Sequence, residues 1–175
     1  KLKAPPVYGD ARGGKHAAAA YVDPDGFKFW KFTCKQKKAS IAWMEGTCLE
    51  QYLLDHAHKH NGRILLYYGD NTTFLGALRK GISTNNRLTD LILRILLTCY
   101  EHDIYLETHY VKSELNTLAD AASRQEWKTF WTHYDSYHGF ADYRAGRIKQ
   151  WQQQQHKTLD ILPDKVQMAV IQCTS

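Results

Sequence analysis

The chain opens on short runs that alternate or stay apolar and then passes to runs of helical period. Val7 to Asp10 follows a Pro5-Pro6 entry, reads as a first strand and is broken by Gly13-Gly14. His16 to Val22 reads as a second strand. Phe27 to Thr33 reads as a third, with Phe27, Phe29 and Lys31 alternating against Lys28, Trp30 and Phe32. Asp23-Pro24-Asp25-Gly26 is a turn signal between the last two, so the chain starts as an antiparallel meander. From Ser40 to about His60 the period changes: Ile41, Met44, Cys48 and Tyr52 recur at helical spacing, with Ser40 as N-cap and Asn61-Gly62 as the stop. A strand over Arg63 to Gly69 follows, then a short helix near Thr72 to Arg79 ended by Gly81. Leu88, Leu91, Ile92, Ile95 and Cys99 mark another helix, and Ile104 to Val111 a fifth strand. From about Asn116 the spacing of Leu118, Ala122, Trp127, Phe130 and Tyr134 predicts one last long helix.

A meander followed by helix-separated strands implies an α/β domain, a mixed sheet covered by helices. At 175 residues the chain accommodates one domain, expected over 1–138, with 139–175 as a C-terminal tail or linker. That stretch is polar, carries the run Gln152 to Gln155, and offers one more candidate strand from Lys165 to Cys173. Apolar residues make up 43% of the chain, enough for a core, and no window approaches the roughly 18 apolar residues of a spanning helix, so no membrane partner is expected. No signal peptide opens the sequence and Lys1 is not an initiator, so a processed or excised piece of a longer protein is expected. Four scattered cysteines without metal-site spacing point to a reduced, intracellular protein. The net charge of +5 favours an anionic partner, and Lys28, Lys31, Lys35, Lys37 and Lys38 are either a solvated basic loop or a phosphate-contacting surface.

Four acidic residues change this picture. Asp10 ends the first strand. Glu45 lies four residues after Ile41 and three before Cys48, inside the apolar stripe of its helix, where an inward carboxylate needs a cation, a metal or a proton. Asp70 shares the parity of Ile64, Leu66 and Tyr68 at the carboxyl end of its strand, the edge where ligands of α/β sheets gather. It either caps the next helix or faces a cation. Asp120 falls in the first turns of the last helix, where it is either a dipole partner or a fourth member of the cluster. Two strand-end and two helix carboxylates converging on one edge would repel each other unless hard divalent cations compensate them. Mg²⁺ suits such oxygen ligands, and paired ions suit in-line phosphoryl displacement.

The motifs around these residues, "YGDA", Glu45 in the first long helix, "YYGDNTT" and "LNTLADAASR", are similar to the ribonuclease H domain of reverse transcriptases from DIRS-like and gypsy-like retroelements. The resemblance spans roughly 7–125 and implies a ribonuclease H-like fold: a five-stranded mixed sheet, three antiparallel strands then parallel ones, flanked by helices. It implies an endonuclease cutting the RNA strand of RNA/DNA hybrids with two Mg²⁺ ions, replaceable by Mn²⁺, and no small-molecule cofactor. Asp10, Glu45, Asp70 and Asp120 would be the catalytic metal ligands. Ala11, Arg12, Asn71, Thr72 and Asn116 would lie on the substrate, and His109 is a candidate proton shuttle. A polymerase domain in the same polyprotein is the implied partner.

The sequence departs from that family in three places. Ile41 and Ala42 stand where cellular members carry polar residues that touch RNA 2′-hydroxyls. Tyr110 stands where they carry a mobile histidine, with His109 beside it, and Lys112-Ser113 replaces a usual Pro-Gly. Two rival readings remain: a degenerate connection or nucleic-acid-binding module of the same fold, and a transposase or resolvase acting on DNA. Outside the motifs, "HAHKH" places His56 and His60 at zinc-pair spacing but reads better as cations at a helix C-terminus. Trp127, Phe130, Trp131 and Tyr134 read as core rather than as a base-stacking platform.

Overall fold

Five strands form one sheet in the order β3-β2-β1-β4-β5 in the computed structural model, which describes residues 3–146. Gln152 to Gln155 and Lys165 to Cys173 lie outside the described residues. β1 (Val7–Arg12), β2 (Ala18–Asp23) and β3 (Gly26–Lys31) make the antiparallel meander, and β4 (Ile64–Gly69) and β5 (Tyr105–Tyr110) run parallel to β1. The helices are α1 (Ile41–His56), α2 (Thr72–Lys80), α3 (Asn86–Glu101), α4 (Thr117–Ser123) and α5 (Trp127–Tyr134). Ser40 caps α1 as expected, its side chain accepting from the Trp43 N–H at 3.2 Å.

Strand alternation divides the core in two. Val7, Ala19, Tyr21, Leu65 and Tyr67 pack with α1, α2 and α3. Tyr8, Ala20 and Val22 pack with α4 and α5. β2 is buried along its whole length although Ala18, Ala19 and Ala20 are weak strand formers. Tertiary position overrides propensity there: a central strand covered on both faces needs small side chains where two helices approach it.

Two sequence expectations are corrected. The single long helix from Asn116 is two helices. α4 ends in a Schellman turn in which Gln125 takes φ 60°, its N–H donating to the Ala122 carbonyl at 3.1 Å, while Glu126 N–H donates to Ala121 at 2.8 Å. The packed body also passes the boundary expected at 138. Residues 140–146 are helical, Phe140 is fully buried, and Arg144 donates to the Pro24 carbonyl (2.6 Å) and the Asp135 carboxylate (2.8 Å). Among the four aromatics read as core, Phe130 and Tyr134 are buried and Trp131 is exposed.

The centre of the parallel half is organised by Tyr67. β1 contains Tyr8-Gly9-Asp10 and β4 runs through Tyr68-Gly69 into Asp70; Tyr8 pairs with Tyr68 in register, their rings stacked 4.8 Å apart. A Cβ on Gly9 would overlap the Tyr67 hydroxyl, and one on Gly69 would press the Tyr67 ring at 3.2 Å. One aromatic side chain therefore fills the space that both glycines leave. Its hydroxyl is buried with no hydrogen-bond partner among the described residues. An unsatisfied buried hydroxyl costs roughly 1–3 kcal/mol. Tyr67→Phe is accordingly expected to stabilise the protein by about 1 kcal/mol in chemical denaturation; a loss of stability would show that the hydroxyl is satisfied in solution.

Candidate active site

The register that pairs Tyr8 with Tyr68 sends Asp10 and Asp70 off the same sheet edge side by side. Asp10 has the parity of Tyr8 and Asp70 that of Tyr68. Asp70 does not cap α2: that place belongs to Asn71, whose side chain accepts from the Phe74 N–H at 2.8 Å. Asp70 accepts instead from the Ser113 hydroxyl at 2.8 Å, so one residue of the Lys112-Ser113 pair supports the site. Glu45 comes in from α1, buried, and accepts from the Ala11 N–H at 3.0 Å. Ligand atoms of Asp10, Glu45 and Asp70 all lie within 4.8 Å of one another. Asp120 lines the same cleft of about 280 Å³ from α4, its side chain 40% exposed and bound by Arg124 Nε at 2.9 Å.

The three clustered carboxylates face one another with like charge. Burial pushes Asp10 up to about 7, with Asp70 and Asp120 adding to the rise against a hydrogen bond from Ser123 and the charge of Arg124. Burial likewise pushes Glu45 well above the usual carboxylate range, helped by Asp10 and Asp70 and opposed by the Ala11 N–H. An all-oxygen, partly buried donor set whose own charge is uncompensated fits a hard divalent cation. These carboxylates can bind such a metal.

The substrate residues expected from sequence divide. Ala11, Arg12 and Asn71 line the cleft, while Thr72 is exposed at the start of α2 and does not line it. Ala11 is mostly buried and serves Glu45 through its N–H. Asn116, expected on the substrate or as the residue that positions its loop, is fully buried, and its amide donates to the Gly9 carbonyl at 2.9 Å, tying the entry of α4 to β1. A residue without exposure cannot touch a polymer, so its role is to position. His109 is also not brought to the cleft. It stacks on Tyr68 at 5.0 Å and pairs with Glu107 at 2.7 Å. Ile41 lines the cleft and is 45% exposed, whereas Ala42 is buried.

Motif reading missed Ser123 and Arg124 as working residues, although it quoted the segment that contains them. Ser123 donates to Asp10 Oδ2 at 2.7 Å across 113 residues of sequence. The "HAHKH" histidines form no metal group among the described residues. His56 ends α1 against the Tyr21 hydroxyl at 3.1 Å. His60 is buried against the Tyr52 hydroxyl at 2.9 Å, and burial lowers its pKa to about 4. It is neutral at pH 7, which corrects its reading as a cation at the helix end.

Solved structures similar to this one include ribonucleases H1. The enzyme of the halophilic archaeon Halobacterium salinarum matches with a TM-score of 0.57 at 19% identity, over 71% of this chain and 97% of that one. LC11 ribonuclease H1 in complex with an RNA/DNA hybrid matches with a TM-score of 0.58 at 13% identity, over 69% and 94%. The chain has the ribonuclease H fold. An N-terminal ribonuclease H domain from Mycobacterium tuberculosis, solved as a fusion with maltose-binding protein, matches that fold at 0.56 and 14% identity, over 74% and 98%. No family model and no curated protein matches this chain. No helix among the described residues is long and apolar enough to cross a membrane.

The ribonuclease H fold here carries a testable electrostatic load. Folded Asp10 holds its proton to about 7 against an ordinary 3.8. A raised folded pKa stabilises fully below the unfolded value and loses that contribution as pH rises through the folded one. Metal-free protein is therefore expected to melt at lower temperature near pH 8 than near pH 5, with Asp10→Asn flattening the dependence. Calorimetry in chelator measures it, and a melting temperature that climbs over this range would contradict the assignment.

Proposed function

We propose that this chain is a metal-dependent endoribonuclease that hydrolyses the RNA strand of RNA/DNA hybrids, as the ribonuclease H domain of a retroelement reverse transcriptase. The observation that carries the reading is the convergence of Asp10, Glu45 and Asp70 within 4.8 Å at the carboxyl edge of the sheet, with Asp120 on the same cleft. A hybrid is the ligand named for the LC11 relative of the same fold, which supports this substrate. The motif resemblance supports the retroelement setting and a polymerase domain in the same polyprotein.

Each residue has a definable task. Asp10, Glu45 and Asp70 would hold the cations, steadied by Ser123, the Ala11 N–H and Ser113 respectively. Asp120, more exposed than the three, would complete the site and orient the attacking water. Two Mg²⁺ ions bound there would supply the charge that activates water and stabilises the departing 3′-oxygen. Arg12 and Asn71, on the cleft wall, would meet the substrate backbone. Ile41 presents an apolar surface where a 2′-hydroxyl reader would stand, so hybrid preference would rest on shape and backbone contacts.

The decisive variant is Asp70→Asn. Cleavage of a labelled hybrid in Mg²⁺ is expected to fall beyond the roughly 10- to 100-fold that an outer-shell change costs, with circular dichroism unchanged. Near wild-type cutting would defeat the metal assignment. Duplex RNA and duplex DNA in the same assay separate this reading from a DNA-directed enzyme and from a module that binds without cutting.

A second expectation concerns the basic surface. Lys28 is engaged by Asp55 at 2.9 Å, and Lys37 donates to the Lys15 carbonyl at 2.8 Å. Lys31, Lys35 and Lys38 are exposed beyond β3, on the strand end that leads into α1. Replacing these three by Ala is expected to make the slope of log affinity against log salt shallower by about two to three, one phosphate contact contributing about 0.9. An unchanged slope would place the phosphate surface elsewhere.

A further inference from the structure

We infer that Ser123 is a positioning residue that holds the Asp10 carboxylate ready for a cation, an inference that rests on the reading of the carboxylate cluster as a metal site. Ser123 is fully buried on α4, and its hydroxyl lies 2.7 Å from Asp10 Oδ2. No other group among the described residues donates to that carboxylate. Glu45 receives a backbone N–H and Asp70 a hydroxyl from a neighbouring loop, so Asp10 would otherwise be the one clustered carboxylate without a hydrogen-bond donor.

The need for such a donor follows from the cluster itself. Asp10 faces two like charges, and rotation of its side chain away from Glu45 and Asp70 would relieve the repulsion while dispersing the ligand set. A hydroxyl donor on one oxygen opposes that rotation. It occupies one lone pair and leaves the others for a cation, which a charged donor would compete with and an apolar neighbour would not orient. The one Ser123 proton has a second acceptor in reach, the Asp120 carbonyl at 2.9 Å one turn back on the same helix, and the shorter contact to the carboxylate is the stronger of the two. The donor that aims Asp10 is thus fixed by the helix that carries Asp120. Next to it, Arg124 binds the Asp120 carboxylate at 2.9 Å. Consecutive residues at the end of α4 therefore hold Asp10 of β1 and Asp120 of α4 itself, and the docking of α4 on β1 sets the first of these contacts.

The test is Mn²⁺ affinity without nucleic acid, measured by calorimetry and by electron paramagnetic resonance of free Mn²⁺, in wild type, Ser123→Ala, Ser123→Cys and Leu118→Val. Leu118 is fully buried on α4 but is not among the residues lining the cleft, so its variant reports the effect of looser packing alone. Ser123→Ala is expected to bind Mn²⁺ about tenfold more weakly, as outer-shell donors typically dictate, and to show a smaller rise in melting temperature on adding the ion. Ser123→Cys, a weaker donor, falls between. Leu118→Val lowers the metal-free melting temperature and keeps wild-type affinity. Ser123→Ala with unchanged Mn²⁺ affinity and an intact fold overturns the inference. If Ser123→Ala does not fold, Ser123→Cys decides by the same measure; if neither folds, Ser123 is a packing residue and the inference fails. A wild type that binds no Mn²⁺ overturns the cation-site reading itself, and this inference with it.

Discussion

Three carboxylates brought within 4.8 Å of each other at the end of a parallel sheet are the constraint around which this molecule is arranged. At an effective dielectric of about 20, two unit charges at that separation repel by roughly 3–4 kcal/mol. A hydrogen bond to a charged group returns only about 1.5–3 kcal/mol. The Ser113, Ser123 and Ala11 donors can orient the cluster but cannot neutralise it. Burial first, and the neighbouring carboxylates second, push Asp10 and Glu45 up, so that either a proton or a cation would relieve the cluster. The fold accepts a locally unfavourable arrangement whose relief is a ligand.

The rest of the structure supplies rigidity for that arrangement. Parallel pairing of β1 and β4 sets Asp10 beside Asp70, and the Tyr67 ring beneath Gly9 and Gly69 brings the two strand ends close. The buried Asn116 amide ties the start of α4 to the Gly9 carbonyl, one residue before Asp10. Glu45 arrives on a helix that packs against both β1 and α3. Every element that delivers a carboxylate is thus held by contacts outside the cleft, and this is how like charges are kept together.

Much of this was legible in the sequence, for a physical reason. The period-2 and period-3.6 patterns gave the strand and helix order, and the presence of Glu45 in an apolar stripe is a local anomaly that points inward. What was hidden is non-local or unsignalled. Asn116 looks like a polar loop residue until its burial is seen. Gln125 adopts a left-handed φ that sequence reserves for glycine or asparagine, so the break between α4 and α5 left no mark. The polar text after 138 concealed Phe140 and Arg144, whose contacts reach back to Tyr8 and Pro24.

The unequal exposure of the four acids suggests how the site divides its work. Asp10 and Glu45 are buried and Asp70 is half-buried, while Asp120 sits on a short helix at the cleft margin with a solvent-facing cation beside it. A cation in the three-carboxylate cluster would relieve buried repulsion, a large differential effect. At Asp120 the competing Arg124 pair is exposed and intrinsically weak. The like-charge strain is therefore concentrated at Asp10, Glu45 and Asp70, and Asp120 bears less of it. Arg124 shares the cleft wall with Arg12, and because the Asp120–Arg124 pair is exposed, separating it would leave no buried charge behind.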